Sequence, residues 1–522
     1  MAVLSVLAPL LYLLSSWSSV DQQLWQHLLD TQLGRLTFNT LVLIAGVGVG
    51  VLLLGVSLAW FTSVFEFPGR GWLDWALMLP LAVPAYVLAF VMLGIFDFGG
   101  PVQATLRDWI GSHYSYVDVR QTWVVITVMS LVLYPYVYLL ARTAFVAQGR
   151  DVLEASRSLG CGPVETFFRV ALPMARPAIV AGLSLALMET LADFGTVAVF
   201  NYETFTTAIY KSWFGFFSLQ AGAQLASVLL LFVAVSLLAE RGARGSARFT
   251  QSDIGRARFR RRLPGYKGWV LSAYACLVLA AAFAIPLLQL LFWVVADTAH
   301  LADRRFWGLL WRSLFLASAA ALLTVGLGLL LALVRRQSRG YVRLGLGVVN
   351  LGYALPGSVL AVGIVMLLAD VDRYAWMPLV EMGGWQLQPL TGSIFALMFA
   401  YWVRFVAVAS GPLDSGLERI TPAISEVARS LGVSRWRLIW QIILPMLRPG
   451  VLTAMVLVFV DVLKEMPATL LLRPYGWDTL AVRIYAMTSE GEWQWAAMPA
   501  LTLVLAGLVP VYLLMRSSTS PQ

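Results

Sequence analysis

Apolar runs near or above the roughly 20 residues needed to cross a hydrocarbon core alternate with short polar stretches along the whole chain, most clearly at 41–61, 270–295 and 344–368. The pattern predicts an all-α polytopic membrane protein of about twelve spans, near 3–19, 39–63, 73–95, 122–147, 177–200, 219–239, 269–295, 313–334, 344–369, 391–412, 450–471 and 494–515. No polar stretch is long enough to be a separate soluble domain. The first run has no basic leader and no small-residue cleavage site before Asp21, so it reads as a retained span, not a signal peptide.

Composition agrees: 59% of residues are hydrophobic and 12% charged, against roughly 25% charged in soluble domains. The net charge of +9 sits in short loops between apolar runs, where the positive-inside rule accounts for it, so a nucleic-acid partner is not implied. The two cysteines, Cys161 and Cys276, give no disulfide framework and no basis for redox chemistry. The most arginine-rich loop, 241–267, is expected on the cytoplasmic side. Alternation puts 148–176, 335–343 and 413–449 on that side as well, together with both termini.

An internal repeat organises the chain. Glu154-Ala155-Ser156-Arg157-Ser158-Leu159-Gly160 returns as Glu426-Val427-Ala428-Arg429-Ser430-Leu431-Gly432, and Leu172-Pro173-Met174 returns as Leu444-Pro445-Met446, at a constant offset of 272. Val83-Pro84 and Leu355-Pro356 share that offset. Six spans per half is an even number, so the halves are parallel repeats about an axis along the membrane normal. The expected divisions are 1–240, a basic linker 241–268, and 269–522. A substrate path is expected between the halves.

Each repeated loop is polar, with a short helix, a glycine stop and a second helix. In the second copy these are 425–431, Gly432, and 435–443 capped by Ser434, with Pro445 and Pro449 expected to end the turn. The pattern resembles the EAA loop of ATP-binding-cassette importer permeases, matched by Glu154, Ala155, Gly160, Leu172 and Pro173, and by Glu426, Gly432, Leu444 and Pro445, with Val427 in place of the usual alanine. The resemblance implies a type I importer permease fold in a bacterial inner membrane, with each loop docked on one of two copies of an ATPase subunit. The chain has no phosphate-binding G-x-x-x-x-G-K-[ST] sequence. ATP and Mg are accordingly expected on that partner, and this chain is expected to bind no cofactor and to be no enzyme.

The fifth span of each half ends in acids at matching positions, Glu189 and Asp193, then Asp461 and Glu465. Charge at that depth usually faces a polar pathway or a partner. The i, i+4 spacing suggests one helix face, and carboxylate oxygens suit a hard cation. Lys464, next to Glu465 and three residues from Asp461, raises the alternative of an internal ion pair. The run from Glu465-Met466-Pro467 through Arg473-Pro474-Tyr475-Gly476-Trp477-Asp478-Thr479 to Tyr485 resembles the ferric-iron branch of the same permeases. That implies a fused permease served by a periplasmic or lipid-anchored binding protein; thiamine and aminoethylphosphonate importers are similar. His27, His113 and His300 lack metal-ligand spacing, and no metal site is assigned. An ion-coupled secondary transporter would explain the acids but not the loops, and no catalytic set supports a membrane enzyme.

Overall fold

The computed structural model describes residues 2–18, 22–111, 118–244, 261–263, 265–296, 304–337 and 348–519. The linker arginines at 245–260, and His113 and His300, lie outside the described residues. The first half comprises α1 (Ala2–Ser15), α2 (Gly34–Val64), α3 (Ala85–Phe96), α4 (Thr122–Ser158), α5 (Leu172–Ala192), α6 (Gly195–Val199), α7 (Phe205–Tyr210) and α8 (Leu219–Arg244). The second comprises α9 (Tyr266–Leu279), α10 (Ile285–Ala296), α11 (Arg304–Gln337), α12 (Gly357–Val371), α13 (Ile394–Glu418), α14 (Pro422–Ser430), α15 (Leu444–Lys464), α16 (Pro467–Leu472), α17 (Leu480–Ser489) and α18 (Trp493–Thr519). A two-residue parallel pair, Phe65–Glu66 with Arg261–Arg262, ties the end of α2 to the end of the linker.

Among the described residues ten helical stretches are long and apolar enough to cross a membrane. The remaining two expected spans are shorter helices: the apolar 2–18 segment and α12, of 15 residues. Leucines spaced along these helices face outward, including Leu53 and Leu277, as suits helices whose solvent is lipid. In each half the same three helices pack together, α2 with α4 and α5, and α11 with α13 and α15.

The third span of each half is not continuous. Val83 and Leu355 precede prolines and take extended ψ of 119° and 127°, because the proline ring excludes the residue before it from helical conformation. Each chain makes a 3-10 turn, breaks at the proline, and restarts as α3 or α12. The halves also interlock. The first helix of each crosses onto the third helix of the other, α1 against α12 and α10 against α3. The approach is close: a Cβ on Gly363 would stand 2.6 Å from the Pro9 carbonyl oxygen. Small residues at helix crossings allow such contact where no hydrophobic force drives association.

Candidate functional site: a carboxylate-lined cavity and two matched loops

A cavity of about 370 Å³ lies between the halves. Glu189, Asp193, Asp461 and Glu465 all line it, with Tyr86 and Tyr136 from the first half and Tyr353, Arg404 and Lys464 from the second. The broken third span contributes Val83, Pro84 and Ala85, so the restart of α3 opens on the cavity.

The acids are not equivalent within each pair. Asp193 and Glu465 lie just past the ends of α5 and α15 in extended conformation, not on the helix face that their spacing suggested. Both cap the short helix that follows. Asp193 accepts from the Thr196 and Val197 amides at 2.9 and 3.2 Å and from the Thr196 hydroxyl at 3.0 Å. Glu465 accepts from the Ala468 amide at 3.0 Å. Glu189 and Asp461 remain on the last turns of their helices. Glu189 accepts from the Tyr353 hydroxyl at 2.9 Å, a bond that joins the halves.

The cation meeting Glu465 is Arg404 of α13, 3.2 Å away and nearly as buried, and not the neighbouring Lys464. Lys464 instead donates to the Leu81 carbonyl at 3.0 Å, a second link between halves. Gly357, the first residue of α12, abuts the ion pair: a Cβ there would stand 2.6 Å from Glu465 Oε1 and 2.7 Å from Arg404 Nη1. Arg404, Tyr353 and the glycine contact were not foreseen. An arginine inside the expected 391–412 span was the available signal. At the end of the cavity away from the repeated loops, Phe194 packs against Tyr210 and Tyr485, with ring centroids 5.3 Å apart in each case. Among the described residues no three His, Cys, Asp or Glu are grouped to hold a metal ion.

The repeated loops share one backbone design. Gly160 and Gly432 have φ of 86° and 75°. Around each, the Cys161 amide reaches the Ser156 carbonyl and the Val433 amide reaches the Ala428 carbonyl, 3.1 and 3.0 Å. This pattern closes a helix through a left-handed residue, where glycine avoids the Cβ penalty. The Ser434 hydroxyl caps the second helix by accepting from the Arg437 amide at 3.4 Å.

Two expectations about these loops are corrected. The helix before Gly160 is the tail of α4, whereas α14 is detached from α13 because Pro422 disfavours helix at Thr421. Pro445 and Pro449 do not end the turn: Pro445 stands in the first turn of α15, opening that span as expected, Pro449 lies inside the helix, and Pro173 occupies the same place in α5. Wide π turns at Thr166–Ala171 and Leu438–Ile443, 272 apart, carry the helix past each proline into α5 and α15.

Glu154 and Leu172 are half-buried, as are Leu444 and Pro445, while Ala155, Gly160, Pro173, Glu426, Val427 and Gly432 are exposed. Beside them stand exposed apolar side chains at matching positions: Leu159 and Leu431, Val164 and Trp436, Phe168 and Trp440. Repeated exposed apolar residues at a polar turn mark a contact surface. They were legible as apolar positions at the same offset.

A family model described as binding-protein-dependent transport system inner membrane component matches residues 51–244 and again 324–519, once per half. The Fe(3+)-transport system permease protein FbpB 2 of Haemophilus influenzae is 28% identical over 491 residues, covering 93% of this chain and 90% of its own length. The molybdenum transport system permease protein ModB of Escherichia coli is 27% identical over 205 residues, 39% of this chain and 88% of its own. The sulfate transport system permease protein CysT of the same species is 29% identical over 185 residues, 35% of this chain and 62% of its own.

Proposed function

The chain belongs to the family of binding-protein-dependent transport system inner membrane components, and from that premise we propose that it is the permease of an importer that carries ferric iron into the cytoplasm. A binding protein delivers the iron on the side of Phe194, Tyr210 and Tyr485. Two ATPase subunits, which hold the ATP and Mg, dock on the loops around Gly160 and Gly432 on the cytoplasmic side. Closure of the ATPase pair moves those loops, and the rigid helices that continue from them, α5 and α15, carry the motion to the four acids at their ends. The cavity between the halves is thereby exposed to each side in turn, with both termini in the cytoplasm.

One observation carries the choice of cargo: the cavity holds four carboxylates against two cations. Such a lining attracts a hard cation and repels an oxyanion such as the sulfate named for CysT. Similarity to the iron permease along nearly the full chain supports the same choice. The path passes the ion without holding it tightly.

The test is reconstitution with the ATPase and candidate binding proteins in vesicles. ATP-dependent uptake of ferric iron is expected, with none of molybdate or thiamine. Uptake of either of those instead of iron overturns the cargo, and uptake that survives without the ATPase overturns the importer reading.

A further inference from the structure

We propose a second ligand site, outside the central cavity: a cleft of about 510 Å³ between α11, α17 and α18 that binds a phosphate-bearing anionic lipid headgroup. Arg304, Arg305, Arg312 and Arg483 line it, and Asp478 is the one carboxylate among its described lining residues. Asp478 is already paired with Arg473 at 2.6 Å. Arg312 and Arg483 are half-buried, and the Arg312 Nε is shielded from solvent with no hydrogen-bond partner among the described residues. A guanidinium in that position pays a desolvation penalty unless an anion meets it, and its planar fork matches the oxygens of a phosphate.

The first half shows that the fold does not require an arginine at the positions of Arg312 and Arg483. Arg312 corresponds to Thr40 at the 272 offset. Beyond Leu472 the offset becomes 275, matching Thr479 to Thr204 and Tyr485 to Tyr210, so Arg483 corresponds to Ala208 and Asp478 to Glu203. Glu203 is balanced, paired with Arg35 and with Lys211. The hydrogen bond from Lys211 holds its carboxyl below the usual carboxylate range. Arg312 and Arg483 thus belong to the second half alone.

Position identifies the source of the phosphate. The far end of α11 carries Arg335, which pairs with Asp414 at the start of the 413–449 stretch, so Arg304 and the cleft lie at the opposite face. With 34 residues, α11 is about 51 Å long at 1.5 Å per residue, more than the ~40–45 Å of a bilayer with its headgroups. Its first turns therefore lie at headgroup depth. Exposed Trp307, Trp311 and Trp495 ring the same level, as interfacial tryptophans do. Lipid phosphate is the concentrated oxyanion there, and Phe306 and Met498 in the cleft wall suit the start of an acyl chain.

The experiment uses the purified full-length chain in detergent, with phosphatidylglycerol, phosphatidylcholine or inorganic phosphate added. Bound lipid is read by native mass spectrometry and stability by thermal unfolding. Phosphatidylglycerol is expected to stay bound and raise the Tm, and Arg312→Gln with Arg483→Gln to weaken it about tenfold or more, one charge-assisted contact being worth roughly that much. Arg107→Gln, outside the cleft, is expected to change nothing. Protection by inorganic phosphate that the double variant abolishes supports the same oxyanion site filled from solution. Equal retention of phosphatidylglycerol by wild type and double variant overturns the proposal. Without lipid, Arg312→Gln is expected to unfold at or above the wild-type temperature, because it removes an unmatched charge; a lower temperature assigns Arg312 a structural partner and also overturns it.

Discussion

Asp193 and Glu189 stand four residues apart and face the same cavity, yet their bonding separates what each substitution removes. Asp193 holds two amides and a hydroxyl at the start of α6, whereas Glu189 holds a single tyrosine hydroxyl. Losing a helix cap costs about 1 kcal/mol, with asparagine nearly as good a cap as aspartate. Asp193→Ala is therefore expected to lower the Tm and Asp193→Asn to restore it, while both lack the charge. Glu189→Gln is expected to leave the Tm close to wild type and to cut ATP-driven iron uptake at least about tenfold. If Asp193→Asn transports iron normally and Glu189→Gln does not, the first acid is a cap and the second lines the path. Normal transport by both variants removes the carboxylates from the pathway altogether.

At the scale of the element, the glycine turns isolate backbone from contact. A Cβ added at Gly160 or Gly432 would meet nothing within 4 Å, so substitution there strains φ and touches no neighbour in this chain. Asparagine tolerates left-handed φ and valine does not. Gly432→Asn is expected to retain both folding and coupling. Gly160→Val with Gly432→Val is expected to leave ATP hydrolysis running without uptake, measured side by side in vesicles. Uptake that persists in the valine variant would separate these loops from the ATPase.

Much of this element scale was readable beforehand, because a 272-residue offset and a glycine after a short helix are properties of sequence alone. Val83-Pro84 and Leu355-Pro356 stand out in the sequence as repeat markers, whereas the helix breaks they cause show only in the backbone. The two π turns had no sequence signal beyond the prolines they accommodate. The bonding that divides Asp193 from Glu189 depends on where α5 stops, within one residue, which periodicity does not resolve. Arg404 was legible as a charge within a span, but its partner Glu465 lies 61 positions away in the chain and is brought to it only by the packing of α13 against the junction of α15 and α16.

For the whole molecule, the crossing of α1 onto α12 and of α10 onto α3 means that neither half buries its own third span alone. Expressed as two separate chains divided within 245–260, the halves are expected to co-purify as a stable pair, and each by itself to be recovered poorly or degraded. Two halves that fold independently and fail to associate contradict the interlocked arrangement. The links from Tyr353 to Glu189 and from Lys464 to Leu81 span the same boundary, so any rearrangement that parts the halves at the cavity must exchange them for other partners.

Arg404 and Lys464 occur once, with Val132 and Ala192 at their counterpart positions. A permease assembled from two identical subunits could not arrange this. Two copies of the second half would place four cations beside four acids and leave no net charge, and two copies of the first would leave all four acids uncompensated. Joining two diverged copies in one polypeptide fixes their stoichiometry at one to one and lets the lining settle at an intermediate value, two negative charges in surplus. Divergence of the two copies thus sets the formal charge of the cavity, a quantity that two identical halves could adjust only in steps twice as large.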